Sequence, residues 1–354
     1  MVNRLYRYAA PYGRLRAMKA DLLQPEDYGS LLRAPDVEGI LSYLLHTRYA
    51  DVLRDMSSVS AVGLERVLRA ELIRSCEKVL RFMGGKPSRC IQMLIHYFDL
   101  LNVKTVIRKL CRLGLEQRDI ASLLFDTGHW GLFSKSDLTT ISDFPALDGL
   151  LRPTFLSKAY EAALRQYQVD EDVFTFESVL ELSYFRYLWE YVRALGGLDR
   201  SYGAELLKTY GDTKNVTWFL RLRFIRQMEV HAIVNYLILF AGESTASAFT
   251  EALSMESERE AFEQLTERRL PRFRSFYGDM PDRFSLRWAE WILTRYFLDE
   301  CRRIFRRFPF QIGAFLAYYF LKQAEIQDLI TIVEGKMLAL PEERISGCLV
   351  SPTH

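Results

Sequence analysis

The chain has 354 residues, 49% of them hydrophobic and 26% charged, enough to bury one large core or two to three smaller ones. Its 47 Lys and Arg against 45 Asp and Glu leave a formal net charge of +2, without the concentrated basic excess by which a nucleic-acid-binding surface replaces phosphate counterions. The five cysteines include no CxxC pair, which fits a reducing compartment and argues against a disulfide framework or a zinc site.

Helical periodicity dominates from the first residues. The opening "MVNRLYRYAAPYGRLRAMK" is basic but has no apolar core of signal-peptide length. "VGLERVLRAELIRSCEKVLRFM" (62–83) has helical spacing, and "MGGKPS" (83–88) after it reads as a turn. A phosphate-binding loop would need GxxxxGK[ST] between a strand and a helix, whereas here the flanks are helical and proline follows Lys86. "TGHWGLFSKSDLTTISDFPALDGLLRP" (127–153), rich in Gly, Ser, Asp and Pro, is expected to be loop with short helical turns. "ESVLELSYFRYLWEYVRAL" (177–195) returns to helix. "VHAIVNYLILFAG" (230–242) is the longest apolar run; it is shorter than the about 20 residues of a membrane span and is expected to be a buried helix. "LRWAEWILTRYFLDECRRIFRRF" (286–308) and "YYFLKQAEIQDLITIVEGKMLALPEERI" (318–345) complete the series. In the last of these Ile326, Leu329, Ile330, Val333 and Met337 form one face, with Lys322, Gln323, Gln327, Thr331 and Glu334 off it, and Pro341 ends the pattern. The expected fold class is all-α.

Two short patterns recur in register. An acid, two residues, Asn or Asp and an aliphatic stand at Asp99/Asn102, Asp212/Asn215 and Glu325/Asp328, so that the second position repeats every 113 residues. Upstream of each lies Glu-x-(Val/Ile)-Leu, beginning at Glu65, Glu177 and Glu290. The chain therefore reads as three diverged helical units, 1–118, 119–235 and 236–354, together one compact body. Units of this length exceed ordinary solenoid repeats of about 20–50 residues. Three similar bundles around a pseudo-threefold axis, leaving a funnel or cavity on that axis, are the expected arrangement. Asn102, Asn215 and Asp328 are expected to fasten neighbouring helices by hydrogen bonds.

Catalytic chemistry is hard to find. No two of His46, His96, His129, His231 and His354 have metal-ligand spacing, and there is no HExxH and no GxSxG elbow. Aspartate-rich helices that bind magnesium diphosphate need several grouped carboxylates. "VDEDVF" (169–174) and "FLDECRR" (297–303) come nearest without the paired DDxxD pattern. No catalytic residue, metal site or cofactor is expected. What stands out is arginine: Arg221 and Arg223 (with Arg226) after the second repeat motif, and Arg302, Arg303 and Arg306 in "CRRIFRRF". As a rigid fork for carboxylates, arginine is favoured at interfaces, so these are candidate contacts for an acidic or mixed-charge helical partner rather than for nucleic acid.

The chain resembles the C subunit of the V/A-type rotary ATPases, the counterpart of the d subunit of the eukaryotic vacuolar enzyme. The resemblance rests on Arg14, Arg16, Lys19, Tyr28, Leu32, Thr47 and Tyr49 near the start. It rests most on Lys322, Ala324, Glu325, Ile326, Thr331, Ile332, Gly335, Lys336 and Ile345 near the end. Asp328 departs from the Asn expected there, and Gln327 from a basic residue. The resemblance implies three similar helical units forming a funnel, with no active site of its own. The funnel would be a rotor adapter between the central-stalk shaft and the membrane proteolipid ring, transmitting torque in ATP synthesis or ATP-driven ion pumping. Such a part would sit peripherally on the cytoplasmic face of the membrane, take no small-molecule substrate and be a monomer when isolated. The alternative is a helical scaffold protein unrelated to rotary ATPases.

Overall fold

The computed structural model describes residues 2–54, 61–111, 117–240, 243–252, 254–278 and 280–351, and among them there are helices and connections but no strand. The chain opens with α1 (Val2–Ala20), the shorter α2 (Pro25–Arg33), α3 (Val37–Leu44) and α4 (Ala50–Leu53), and the long α5 (Ala61–Leu80). Next come α6 (Lys86–Cys111), α7 (Gln117–Leu123), α8 (Lys135–Thr139), α9 (Phe144–Leu151), α10 (Ser157–Asp170), α11 (Val173–Arg193) and α12 (Gly197–Leu220). The remainder is α13 (Val230–Ile233), α14 (Glu243–Ala252), α15 (Glu258–Arg269), α16 (Phe273–Tyr277), α17 (Leu286–Arg306), α18 (Ile312–Met337) and α19 (Glu342–Ser346).

Local chemistry sets most of these starts. The carboxylates of Asp36, Asp143 and Asp172 and the hydroxyl of Ser134 each accept a backbone N–H of the turn they open, satisfying donors that the helix itself leaves free. Pro25 occupies the first position of α2, where its missing N–H costs nothing. Gly85, at φ +72°, turns the chain into α6, so "MGGKPS" is a turn. The 127–153 stretch is loop with a single 3-10 turn, α8 and α9, in line with its composition.

Three pairs of long helices, α5/α6, α11/α12 and α17/α18, begin at 61/86, 173/197 and 286/312, close to one interval of 113 residues apart. By packing, however, the chain divides into two compact units, Met1–Gly84 with Glu290–His354, and Gly85–Ala289. Within the first, α18 lies on α5 and contacts α1, α3 and α19; within the second, α11 lies on α6, α10 and α12. Compact units and sequence segments are thus delimited differently. The partners α5 and α6, adjacent in the chain, each pack on a long helix from a different segment.

In the first unit α18 is the core. Twenty of its 26 residues are buried: 312–322 on every side, and beyond them the expected face of Ile326, Leu329, Ile330 and Val333, with Gln327 and Glu334 exposed. Lys322, expected off the apolar stripe, is 4% exposed, and Met337, expected on it, is 56% exposed. The helix also ends at Met337, four residues before Pro341. Ala339 takes a left-handed φ of +52°, Leu340 N donates to Gly335 O, and α19 starts after the proline. The bend lets Ile345 pack on Gly335, where a Cβ would come within 2.6 Å of its Cγ1.

In the second unit, ion pairs join α6 to α11: Lys104 to Glu181 at 2.8 Å, and Arg108 through two bonds to Glu177. The apolar run, described over 230–240 with 241–242 outside the described residues, is not the expected buried helix. Helix stops at Ile233, a 3-10 turn follows to Tyr236, and Leu237 is extended. Phe240 then stacks on Trp189 at 5.0 Å and lies against Gly211 of α12, where a Cβ would meet its ring at 2.8 Å.

Gly211→Val should therefore displace Phe240 and destabilise the chain by about 1–3 kcal/mol, the usual cost of overpacking, as read from urea unfolding midpoints.

Candidate functional site

The residues that repeat every 113 positions all sit in the C-terminal half of a long helix, and each holds the backbone of a non-helical segment 22–23 residues further on. Asn102 of α6 donates its Nδ2 to Phe125 O at 2.9 Å and accepts from Phe125 N at 2.7 Å. Asn215 of α12 does the same with Ile238, at 2.9 and 2.7 Å. Asp328 of α18 has no N–H to donate, and its two oxygens take two successive amides, Val350 N and Ser351 N, both at 2.9 Å. These side chains are 0–2% exposed. The expected partners were other helices; the actual partners are backbone groups that have left a helix inside the core and would otherwise be unpaired. Asn215 thereby accounts for the early end of α13, because Ile238 offers its peptide group to the side chain instead of to a helix.

The acids three residues earlier share a helix face with these clamps but have separate tasks. Asp99 accepts from Thr127 Oγ1 at 2.7 Å and Leu132 N at 2.8 Å. Burial raises its carboxyl to about 6 in spite of both bonds. Asp212 accepts from Nε and Nη2 of Arg269, at 3.1 and 2.8 Å; burial raises its carboxyl, and the arginine partly offsets this. Glu325 is the most connected of the three. It accepts from Leu23 N at 2.6 Å, Tyr49 Oη at 2.7 Å and Lys322 Nζ at 2.7 Å, tying α18 to residues about 300 positions away.

Around Glu325 lies a buried polar network that joins the two ends of the chain. Lys322 Nζ stands 4.1 Å from the centre of the Tyr49 ring, and the Lys322 and Glu325 side chains are 5% and 3% exposed. Burial, followed by the Glu325 charge, drives the phenols of Tyr28 and Tyr49 well above their ordinary range, so that both stay protonated. Thr47 accepts Tyr49 N, and its hydroxyl donates to Leu44 O, which sets the turn into α4. Thr154 makes the same two bonds before α10, to Leu156 N and Leu151 O. Sequence reasoning missed this second device; the only signal is a threonine two residues before an aromatic or aliphatic.

The arginines expected to contact partners are distributed unevenly. Arg221 is exposed on a π-helical turn, Arg221–Ile225, that continues α12. Arg223 is half-buried over Phe224, with its Nε lacking a hydrogen-bond partner, while the nearby Arg226 lies 4.0 Å over Phe174. On α17, Arg303 pairs with Glu300 of its own helix, Arg302 is half-buried and Arg306 is exposed. These two groups are not brought together in one compact unit: Arg221 and Arg223 belong to the second, the α17 arginines to the first.

Among the described residues no three His, Cys, Asp or Glu side chains are grouped so as to hold a metal ion, and no helix is long and apolar enough to cross a membrane. His96, the most buried histidine of the described set, bonds Trp130 O through Nε2 at 3.1 Å, while its Nδ1 has no partner. Burial lowers it to about 4, so the ring is a neutral structural group at ordinary pH.

Residues 11–347 match a family model described as ATP synthase (C/AC39) subunit. The chain is 25% identical to the C subunit of the A-type ATP synthase of Methanosarcina mazei over 347 residues, covering 97% of this chain and 92% of that protein. It is 24% identical to the protein of the same name from Pyrococcus horikoshii, covering 92% and 86%, and 24% identical to that of Haloferax volcanii, covering 95% of each.

Removing Lys322 leaves a buried carboxylate without its cation, so Lys322→Met should cost about 3–5 kcal/mol in urea unfolding. The folded chain holds the Asp99 proton to about pH 6, whereas the unfolded chain releases it near 3.8. Unfolding therefore releases a proton between these values, and the Asp99 contribution to stability falls as pH rises through that window. Compared with Asp99→Asn, the unmodified chain should lose about 1–3 kcal/mol between pH 4 and pH 7, read from paired denaturation curves.

Proposed function

The chain belongs to the ATP synthase (C/AC39) subunit family, and on that membership we propose that it is the rotor adapter of a V/A-type ATPase. Membership sets aside the alternative of a scaffold unrelated to rotary ATPases. In this reading three similar helical bundles close around a pseudo-threefold axis as a funnel. The end of the central shaft seats in the axial cavity, and the opposite face rests on the proteolipid ring at the cytoplasmic face of the membrane. Torque passes through shape and many contacts, while catalysis and ion movement belong to other subunits.

The observation that carries the reading is the repeated clamp. Asn102, Asn215 and Asp328 each hold a peptide 22–23 residues downstream, from long helices that recur at one interval. Such recurrence is what three copies of one bundle would leave. Mechanical coupling further requires that each copy resist shear. Here, peptides outside the helices are hydrogen-bonded from within the core, and the chain ends are tied by Glu325. Exposed Arg221 and Arg306, with Arg223, Arg302 and Arg303, would meet acidic groups of the shaft or ring through polar, separable contacts.

Purified protein should be monomeric and should retain both purified central-shaft subunits and the detergent-solubilised proteolipid ring in a pull-down. Retention of the shaft should weaken several-fold from 0.05 to 0.5 M salt if the arginines contribute. Failure to retain either component would end the adapter reading.

A further inference from the structure

Two pairs of cations converge in the first compact unit without carboxylate partners. Arg16 and Lys19 lie three apart on α1, and Arg302 and Arg306 four apart on α17, so each pair shares one helix face. The two faces meet where Lys19 Nζ sits 5.3 Å over the Phe305 ring. None of the four takes part in an ion pair among the described residues. Nearby carboxylates are committed elsewhere: Asp21 to Arg48, Glu300 to Arg303, and Glu325 to Lys322, Tyr49 and Leu23 N. Asp299, three residues before Arg302, attracts it without reaching ion-pair distance. Burial lowers the Lys19 ammonium, and the three neighbouring arginines lower it further. An unpaired charge held half out of water beside like charges is a standing cost that an anion would remove.

Lys19 and Arg302 line a cleft of about 160 Å³, together with Leu22, Leu23, Tyr28 and Ser351. That is below the roughly 300–1,000 Å³ of pockets that take drug-sized ligands, and suits one small group. Protein docking surfaces centre on exposed aromatic or large aliphatic anchors. Among the described residues those of α1 are Leu5 and Tyr6 in its first turns, and α2 and α17 carry none. Cations approaching from two helices match an anion with oxygens on several sides better than the two-oxygen edge of a carboxylate.

We propose that this cleft binds a phosphate-class oxyanion, held by Lys19 and Arg302, with Arg16 and Arg306 beside them on the same two helices. The ligand is free phosphate or the phosphate group of a larger molecule. Glu325, which also lines the cleft, is paired with Lys322. The site shares Arg302 and Arg306 with the contacts proposed for the adapter, and its test involves neither shaft nor ring.

The full chain, purified without phosphate, is titrated with inorganic phosphate and with pyrophosphate at an ionic strength held by KCl, following heat of binding and Tm. Saturable binding with a rise in Tm is expected. Lys19→Gln and Arg302→Gln should each weaken it about tenfold or more, while Arg33→Gln, on α2 away from the cleft, leaves it unchanged. If either buried-side variant fails to fold by circular dichroism, the exposed pair Arg16→Gln/Arg306→Gln serves instead. Flotation with phosphatidic acid vesicles but not phosphatidylcholine vesicles, lost in the same variants, would assign the phosphate to a lipid. No saturable binding of phosphate, pyrophosphate or phosphatidic acid overturns the proposal. So does binding unchanged in the variants, or a preference for a poly-glutamate peptide over phosphate.

Discussion

A peptide group that leaves a helix inside a core still has to be hydrogen-bonded, and leaving one buried and unpaired costs about 1–3 kcal/mol. Among the described residues the requirement arises at Phe125, at Ile238 and at Val350 with Ser351, and at each of these one side chain from a long helix meets it. Asparagine is suited to the first two because it can give and take, pairing with both the N–H and the C=O of one residue. Aspartate can only accept, and at the third site the backbone presents two amides in succession. The change from Asn to Asp is thus matched by a change in what is held. Other features follow from the clamps: the short α13, the extended segment that carries Phe240 onto Trp189, and the close passage of that ring over Gly211.

The acids beside the clamps extend the same economy to tertiary structure. Asp99 organises the loop from Thr127 to Leu132, Asp212 receives Arg269 from α15, and Glu325 reaches Leu23 and Tyr49. A buried carboxylate surrounded by this many donors is satisfied only in one geometry, which makes it a device for uniqueness more than for net stability. In the adapter reading such uniqueness has a mechanical use, since a part that carries torque must not rearrange under load.

The resemblance drawn from the sequence selected Tyr28, Thr47, Tyr49, Lys322, Glu325, Gly335 and Ile345, residues split between the two ends of the chain. The structure gives them a common reason. Tyr49 donates to Glu325, which also takes Lys322; Thr47 holds the turn that presents Tyr49; and Gly335 is small because Ile345 lies on it. Periodicity placed Ile326, Leu329, Ile330 and Val333 of α18 in the core and Gln327 and Glu334 in solvent, and it misplaced Lys322 and Met337. Where the helix is surrounded on most sides the stripe widens, and Lys322 is buried there as the partner of Glu325 instead of being turned to water. The arginines were equally opaque: each of Arg302 and Arg303 has an acid three residues before it, yet only Arg303 pairs with its own, Glu300.

The sequence by itself determined the helical class, the turns at Gly85 and after Thr127, and the interval of 113 residues, because caps, turn residues and spacing act over a few positions and leave their letters in place. Only the tertiary structure decided what those letters bind. That Asn102 holds a peptide and not a helix, that Lys322 is buried, and that Lys19 and Arg302 share a cleft all depend on which segments pack together. Packing sums many weak, long-range contacts that no short run of residues records.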